Sequence, residues 1–252
     1  QMPLRYYRNN LDATLTLCQV MEERGLTDIV FSSSATVYGA WANNAVPLAE
    51  TATLRPAPDL AYAVQRAEIE RRLVEWRIAH PDATATVLRP APVVGEPAED
   101  GRDDGAVDDP DLWLARALHT VRRVADIDGD APAQFLHVDD LASAVVLAAR
   151  DRLDGARNVA PDGWLRGAEY TALDAGTPKV RVPRPLGDGV ARVRWKLRLA
   201  RTPPGLVPYA RHPWVVANDR LRADGWEPRH SNEESFVVGT PATALATLSP
   251  RR

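Results

Sequence analysis

The chain opens with apolar residues at helical spacing. Leu11, Leu15, Cys18 and Met21 recur every three or four positions, which places them on one face of an α-helix. Gly25 follows this stripe, and glycine is typical of the position just after a helix. The pattern therefore predicts a helix that packs one side on a core and ends before Gly25.

Short apolar runs of strand type alternate with helical patterns up to about residue 160. Runs of this length suit buried parallel strands, although periodicity alone does not distinguish so short a strand from a helix segment. The predicted strands are Asp28–Phe31, Thr84–Arg89, Gln134–Val138 and Arg157–Ala160; the predicted helices are Leu60–Ala79, with Asp59 as N-cap, and Leu141–Arg150, opened by Asp139 and Asp140. This alternation is typical of an α/β fold with an open parallel sheet.

The rest of the chain gives weaker patterns. Residues 96–110 combine acidic residues with chain breakers and predict a surface loop rather than a metal site. Leu112–Val124 is predicted as a helix, Lys179–Val182 as a strand, Leu186–Ala200 as a helix, and the last helix opens near Asn218 and Asp219.

Several cations fall on the predicted helix Leu186–Ala200 and just after it. A solvated face over an apolar stripe is the simplest interpretation, and an anionic membrane surface, an acidic partner or a substrate phosphate are alternatives. These cations are Arg192, Arg194, Lys196, Arg198 and Arg201.

Composition narrows the class of protein. The chain has 252 residues, 45% hydrophobic and 26% charged, which is a globular composition. A net charge of −3 gives no reason to expect a nucleic-acid partner. Cys18 is the only cysteine, so no internal disulfide can form, and no apolar run approaches the ~20 residues of a membrane span. We therefore expect a cytoplasmic protein without a transmembrane segment, with Cys18 in the core.

Hydroxyl side chains gather where the first predicted strand ends. The stretch from Phe31 to Gly39 reads Phe-Ser-Ser-Ser-Ala-Thr-Val-Tyr-Gly, and an open α/β sheet presents ligands with its carboxyl edge. Further on, Tyr62 and Arg66 are four residues apart, which puts them on one face of a helix. A cation beside a phenol lowers the pKa of that phenol, so serine, tyrosine and arginine together indicate a proton-transfer site.

These motifs resemble the extended short-chain dehydrogenase/reductase family, above all its nucleotide-sugar epimerase/dehydratase branch, in which UDP-galactose 4-epimerases are the most similar members. The segments from Pro3 to Gly39, Tyr62 to Arg66 and Leu88 to Ala91 carry the resemblance. It implies an α/β fold with a Rossmann-like parallel sheet that has helices on both faces, and NAD or NADP as cofactor. It also implies a substrate lobe formed by residues 96–133 and 161–252, beside a dinucleotide-binding part formed by residues 1–95 and 134–160.

The resemblance also assigns roles to particular residues. It implies Ser34, Tyr62 and Arg66 as catalytic residues. It implies that Asn9, Ser32 and Ser33 contact the cofactor together with Tyr62 and Arg66, and Asn10 is a weaker candidate. His137 and Asp140 match the family pattern too, and for them we expect structural roles, as a helix cap and a buried imidazole hydrogen bond.

The chain departs from the family pattern in four ways. It contains no Gly-rich dinucleotide fingerprint, so we expect an N-terminally incomplete Rossmann fold that binds NAD(P) weakly or not at all by itself. Arg66 stands where the family has lysine, and a planar guanidinium cannot hold ribose hydroxyls as a compact ammonium does. Pro92 and Ala133 replace groups that would contact substrate phosphate.

Three functions remain open on the sequence. The first is an NAD(P)-dependent nucleotide-sugar epimerase/dehydratase with a Ser-Tyr-Arg site, acting on a small molecule, for which a homodimer is left open. The second is a truncated, non-catalytic relative that binds a ligand or a partner. The third is a ketone reductase on the same scaffold.

Overall fold

The computed structural model describes residues 4–95, 131–173 and 203–239, together with the helical residues Leu114, Ala115, Ala117, Leu118 and Val121. The side chains of residues 4–10 lie outside this description. The predicted acidic loop at 96–110, the strand Lys179–Val182 and the basic helix 186–200 also lie outside it, and they stay predictions.

Within the residues that the structure describes, the central sheet has three parallel strands, with Thr84–Pro90 between Asp28–Ser32 and Gly155–Val159. Helices connect them along the chain, as the sequence pattern predicts. The elements of this layer are α1 (Leu4–Arg24), β1 (Asp28–Ser32), α2 (Ala61–Ala79), β2 (Thr84–Pro90), α3 (Val138–Arg150) and β5 (Gly155–Val159).

Smaller elements complete the described fold. A second pair of parallel strands, β3 (Val93–Val94) and β4 (Leu136–His137), follows β2 and precedes α3. Short helices and 3-10 turns account for the rest: a first 3-10 turn (Ala35–Tyr38), α4 (Gly167–Leu173), a second 3-10 turn (Pro204–Leu206), α5 (Val207–Arg211), α6 (Asp219–Ala223) and α7 (Asn232–Gly239).

Alternate residues of β2 face opposite layers, which explains why the strand is apolar along most of its length. Ala85 and Val87 pack in the cluster that contains Cys18 of α1 and Leu73 of α2. Leu88 packs in the larger cluster, which includes Ala144 and Leu147 of α3. The predicted α/β sheet with helices on both faces is confirmed, and so is Cys18 as a core residue, where burial raises the pKa of its thiol.

The end of α1 also follows the sequence pattern. Gly25 has φ 66°, a left-handed conformation that glycine adopts without strain. The Leu26 N–H reaches back to the Met21 carbonyl at 2.9 Å, as expected for a helix closed by a glycine. This closure turns the chain directly into β1.

Three sequence predictions of element bounds need correction. Helix α2 begins at Ala61, and its N-cap is Leu60, without a side-chain cap from Asp59. The strand predicted over Gln134–Val138 is confined to Leu136–His137, because the amide of Gln134 bonds to backbone groups of Gly163 and Val216. The helix near Asn218 is α6, and α7 follows it.

Among the described strands, β1 pairs with β2 alone and forms one edge of the sheet. Its register sets Phe31 opposite Val87 and Ser32 opposite Leu88. Within the described residues, no helix is both long enough and apolar enough to cross a bilayer.

Candidate active site

The three serines after Phe31 lead from β1 into the first 3-10 turn. Ser34 is the N-cap of that turn, with extended backbone angles of φ −162° and ψ 145°. Its Oγ accepts hydrogen bonds from the Thr36 N–H at 3.2 Å and from Thr36 Oγ1 at 3.0 Å. Ser34 is 2% exposed. It therefore shapes the turn, and its catalytic role stays a prediction.

Tyr62 and Arg66 lie one helical turn apart on α2. The Arg66 guanidinium carbon is 5.1 Å from the centre of the Tyr62 ring and 5.3 Å from that of Phe31. Arg66 Nη1 also donates to the Ser32 carbonyl at 2.8 Å. The structure thus places Arg66, the predicted cation, in contact with Tyr62, the predicted base, and with the end of β1. A cation over an aromatic face contributes about 0.5–2 kcal/mol.

The predicted cofactor-contacting residues have different surroundings. The Ser32 Oγ is buried and has no hydrogen-bond partner among the described residues. The fully buried Ser33 donates its hydroxyl to the carboxylate of Glu70. Asn9 and Asn10 lie within α1, and their side chains are outside the description. Ser32 is therefore the serine that retains an unsatisfied polar atom near Arg66.

A buried ion pair lies behind the serine turn. Arg89 of β2 donates from Nη2 and Nε to Glu70 Oε2 of α2, at 2.7 and 3.0 Å. Glu70 is 3% exposed and Arg89 is 7% exposed. The Glu70 carboxylate also accepts the Ser33 hydroxyl, and Arg89 Nη1 donates to the Tyr38 hydroxyl at 2.7 Å. The ion pair joins α2, β2 and both ends of the turn.

Tyr38 continues this network toward β5. Its hydroxyl donates to Asn158 Oδ1 at 2.7 Å, and Asn158 Nδ2 donates to the Leu48 carbonyl at 3.1 Å. The Asn158 N–H donates to Glu50 Oε1 at 2.9 Å. Burial raises the pKa of Tyr38 from 10.0 to about 12, although Arg89 acts in the opposite direction. Tyr38 is therefore a neutral anchor and not a candidate base.

The segment after residue 203 also holds the turn. Tyr209 donates its hydroxyl to the Thr36 carbonyl at 2.7 Å. Asn44 Nδ2 donates to the Gly39 carbonyl and to the Pro213 carbonyl, each at 2.8 Å. These bonds join residues far apart in sequence, so the C-terminal segment fixes the exit of the turn.

A cavity of about 270 Å³ lies between this segment and the loop that leads into α2. Its lining includes Trp41, Asp59, Arg211 and His212. Gly205 also lines it and packs closely on the loop, because a Cβ at that position would overlap the Asp59 carbonyl. Ligand sites usually enclose roughly 300–1,000 Å³, so the size of this cavity does not mark it as one.

His137 and Asp140 have the structural roles expected from the sequence. His137 Nδ1 accepts the Asp139 N–H at 3.2 Å and caps α3. The buried Asp140 accepts the N–H groups of Arg229 and His230 at 2.9 and 3.1 Å, and it contacts His230 Nδ1 at 3.1 Å. This carboxylate therefore fastens the chain before α7 onto α3.

His137, Asp139 and His230 place potential metal-ligating atoms within 4.8 Å of one another. The two imidazole rings, however, are stacked with centroids 3.9 Å apart at 24°. Lone pairs of stacked rings lie in nearly parallel planes and cannot converge on one ion. In this arrangement His137 caps α3, and His230 bonds to Asp140.

Pro92 and Ala133, which stand where the resemblance leads us to expect phosphate-binding groups, both take part in backbone pairing. The Pro92 carbonyl accepts the Leu136 N–H at 2.9 Å, at the start of the β3–β4 pair. Ala133 exchanges backbone bonds with Leu165 at 2.8 and 2.9 Å. Both residues are buried, and neither proline nor alanine has a polar side chain to offer a ligand.

Sequence reasoning missed Glu70, Arg89, Asn158 and Tyr209. Arg89 carried the clearest signal, since it is a charge at the end of an otherwise apolar strand. Glu70 lies two turns after Tyr62, among the buried residues of α2. A buried charge requires a partner of opposite sign, so these two could have been paired with each other.

Comparisons with known proteins show the family to which this chain is similar. Residues 1–160 match the model of the NAD dependent epimerase/dehydratase family. A UDP-glucose 4-epimerase of Azospirillum brasilense is 31% identical over 252 residues, covering 93% of this chain and 66% of that protein. The UDP-glucose 4-epimerase of Erwinia amylovora is 30% identical over 183 residues, covering 68% and 53%.

Among solved structures, a Thermus thermophilus UDP-glucose 4-epimerase in complex with NAD superposes with a TM-score of 0.60 at 21% identity. This match covers 90% of the chain and 67% of that structure and shows a shared fold. The chain belongs to the NAD dependent epimerase/dehydratase family. It spans 53% and 66% of the lengths of the Erwinia and Azospirillum enzymes named above.

Proposed function

We propose that this chain is the catalytic part of an NAD(P)-dependent nucleotide-sugar epimerase/dehydratase-like oxidoreductase with a Ser-Tyr-Arg site. The observation that supports it most is the Arg66 guanidinium, which lies over the Tyr62 ring and bonds to the last carbonyl of β1. Ser34 stands two residues beyond that carbonyl, in a turn whose shape is fixed. A phenol, a permanent cation and a serine at one strand end suit proton transfer to and from a substrate oxygen.

In this mechanism Tyr62, as phenolate, takes the proton from a sugar hydroxyl, while Ser34 holds the oxygen of that hydroxyl. The positive charge of Arg66 favours the phenolate over the phenol. A nicotinamide cofactor, when bound, would supply the hydride chemistry at the carbon that carries this hydroxyl. Tyr62 then gives the proton back to the substrate oxygen.

The described residues fit a nicotinamide cofactor in part. Ser32 offers a buried hydroxyl without a partner among the described residues, which suits a hydrogen-bonding ligand. Arg66, by contrast, already directs Nη1 to the Ser32 carbonyl. The residues that would hold the cofactor are Asn9, Ser32, Ser33, Tyr62 and Arg66.

We expect this chain alone to bind NAD(H) or NADP(H) weakly, because its sequence offers no Gly-rich loop for a pyrophosphate. Calorimetric titration of the chain with each cofactor measures this affinity. We predict a dissociation constant in the millimolar range or weaker, and a micromolar dissociation constant would contradict this prediction.

A product assay separates the three candidate functions. The protein as the gene encodes it is incubated with UDP-glucose or UDP-galactose and NAD⁺ or NADP⁺, and the sugar is followed by NMR together with cofactor absorbance. An epimerase interconverts the sugars without net reduction of cofactor. A ketone reductase consumes NADH or NADPH with a simple ketone instead.

The non-catalytic alternative predicts neither change, and two observations favour keeping it in the test. Arg66 is engaged with the backbone, and Pro92 and Ala133 leave no phosphate-binding side chains. Absence of turnover, together with retained binding of a nucleotide sugar, would support this alternative and overturn the enzymatic proposal.

A homodimer through α1 and α2 forms part of the proposal. These helices pack on each other and expose apolar side chains at Leu15, Leu17, Val20, Val64, Val74 and Ile78. Sedimentation of Ile78→Glu should show monomers if this face is the interface. Val146→Glu on α3 is the matched control, because Val146 is also an exposed apolar residue. This substitution should leave the assembly unchanged.

A further inference from the structure

The turn that carries Ser34 is attached to one ion pair at both of its ends. At the entry, Ser33 donates its hydroxyl to Glu70. At the exit, Tyr38 accepts from Arg89 Nη1 at 2.7 Å. Glu70 and Arg89 bond to each other through three contacts of 2.7, 3.0 and 3.3 Å. A displacement of either partner must therefore displace both ends of the turn.

The same ion pair reaches the helix that carries Tyr62 and Arg66. Glu70 is one turn beyond Arg66 on α2, and its neighbours Ile69 and Leu73 are fully buried in the core. Arg89 is fixed in β2, where it lies directly after Leu88, whose carbonyl accepts the Ser33 N–H at 2.7 Å. The position of the turn relative to α2 thus depends on these two side chains.

We propose that the Glu70–Arg89 pair is a positioning device that sets Ser34 relative to Tyr62. Neither residue touches the reacting atoms in this proposal, which rests on the proposed function only for its effect on turnover. An error of about 1 Å between catalytic groups can reduce the rate about 10²-fold. A buried pair bonded on all sides is suited to prevent such an error, since its low-dielectric surroundings strengthen each bond.

The test loosens the turn at one end without creating a buried charge. Ser33→Ala removes the bond to Glu70, and Tyr38→Phe removes the bonds to Arg89 and Asn158. Ser235→Ala is the matched control, because Ser235 is a fully buried serine whose Oγ has no partner among the described residues. Glu70→Gln and Glu70→Ala are compared separately as a rescue pair. Both leave the buried Arg89 guanidinium without its carboxylate, but only glutamine can still bond to both Ser33 and Arg89.

Amide hydrogen exchange is the readout that needs no activity. The probes are the Thr36, Val37 and Gly39 amides, which are bonded within the turn, and the amides of β2 serve as reference. We expect exchange in the turn to rise about tenfold relative to β2 in Ser33→Ala and Tyr38→Phe, and to stay unchanged in Ser235→Ala. An equal rise across the turn and the sheet would show a merely structural pair and overturn the proposal.

Turnover of a nucleotide sugar is the second readout. Tyr38→Phe, at a residue outside the proposed cofactor site, should lower kcat about tenfold or more with KM within about twofold, and Glu70→Gln should retain more activity than Glu70→Ala. Unchanged kcat in an active protein would overturn the positioning role. If the unmodified protein has no turnover, the proposed function fails, and the exchange pattern alone decides whether the pair holds the turn.

Discussion

The two sides of the candidate site differ in how completely they are bonded. The turn side, from Ser33 to Tyr38, is buried and held by Glu70, Arg89 and Tyr209 through side-chain hydrogen bonds. The cleft side, formed by Ser32 and Arg66, is only partly buried, and the Ser32 Oγ lacks a partner among the described residues. The fold itself determines the turn, whereas the cleft side retains a polar atom for a ligand.

Of the four departures from the family pattern, only arginine at position 66 lies on the side that a ligand would complete. The resemblance leads us to expect lysine at this position, while every member of the network behind the turn has a partner. Lys179 and Lys196 are the only lysines in the sequence, so arginine at position 66 accords with the cation usage of the whole chain. A change of cation at this position leaves the scaffold of the turn intact.

The largest effect is expected from breaking the network. Arg89→Met leaves the Glu70 carboxylate buried without its cation, which should lower the free energy of unfolding by about 3–5 kcal/mol. Urea denaturation measures this loss. Arg71→Met on α2, the helix that carries Glu70, is the control, because the pair of Arg71 with Glu68 is exposed and its loss should have little effect. Equal losses in the two variants would contradict the claim that the buried pair holds the turn.

A smaller effect concerns alkaline stability. The pKa of Tyr38 is raised to about 12, so the folded protein keeps a proton that the unfolded chain loses above pH 10. Stability should therefore be complete below pH 10 and fall by roughly 2–3 kcal/mol as the pH rises toward 12. Urea unfolding at several pH values should show a shallower fall in Tyr38→Phe. Identical slopes in both proteins would mean that Tyr38 is less buried than described.

Changes at Arg66 test the cleft side. Loss of its charge should shift the pKa of Tyr62 by about one unit, or ~1.4 kcal/mol. If the guanidinium favours the Tyr62 phenolate, activity rises with pH through the pKa of Tyr62, and Arg66→Met moves that rise to higher pH. Arg66→Lys keeps the charge, so the profile should stay in place and cofactor binding should tighten. An unmoved profile in Arg66→Met would separate Arg66 from Tyr62 and favour the non-catalytic alternative.

Local patterns predicted much of this fold, because a strand or helix depends first on its own residues. The β1 strand, the helix that carries Tyr62 and the glycine end of α1 all follow from periodicity and end signals. Contacts between distant segments could not be predicted in this way. The predicted Asp59 cap is wrong, and the peptide that follows Asp59 packs closely on Gly205, far along the chain. Likewise, the partners of Ser33, Tyr38 and Arg66 depend on tertiary packing.

The claim that Tyr62 transfers a proton is tested most directly by Tyr62→Phe in the protein as the gene encodes it. Phenylalanine keeps the ring under Arg66 and removes only the hydroxyl. The account predicts that conversion of the nucleotide sugar falls about 10²–10⁴-fold while the cofactor dissociation constant changes by less than about threefold. Turnover equal to that of the unmodified protein would contradict it and show that Tyr62 serves packing alone.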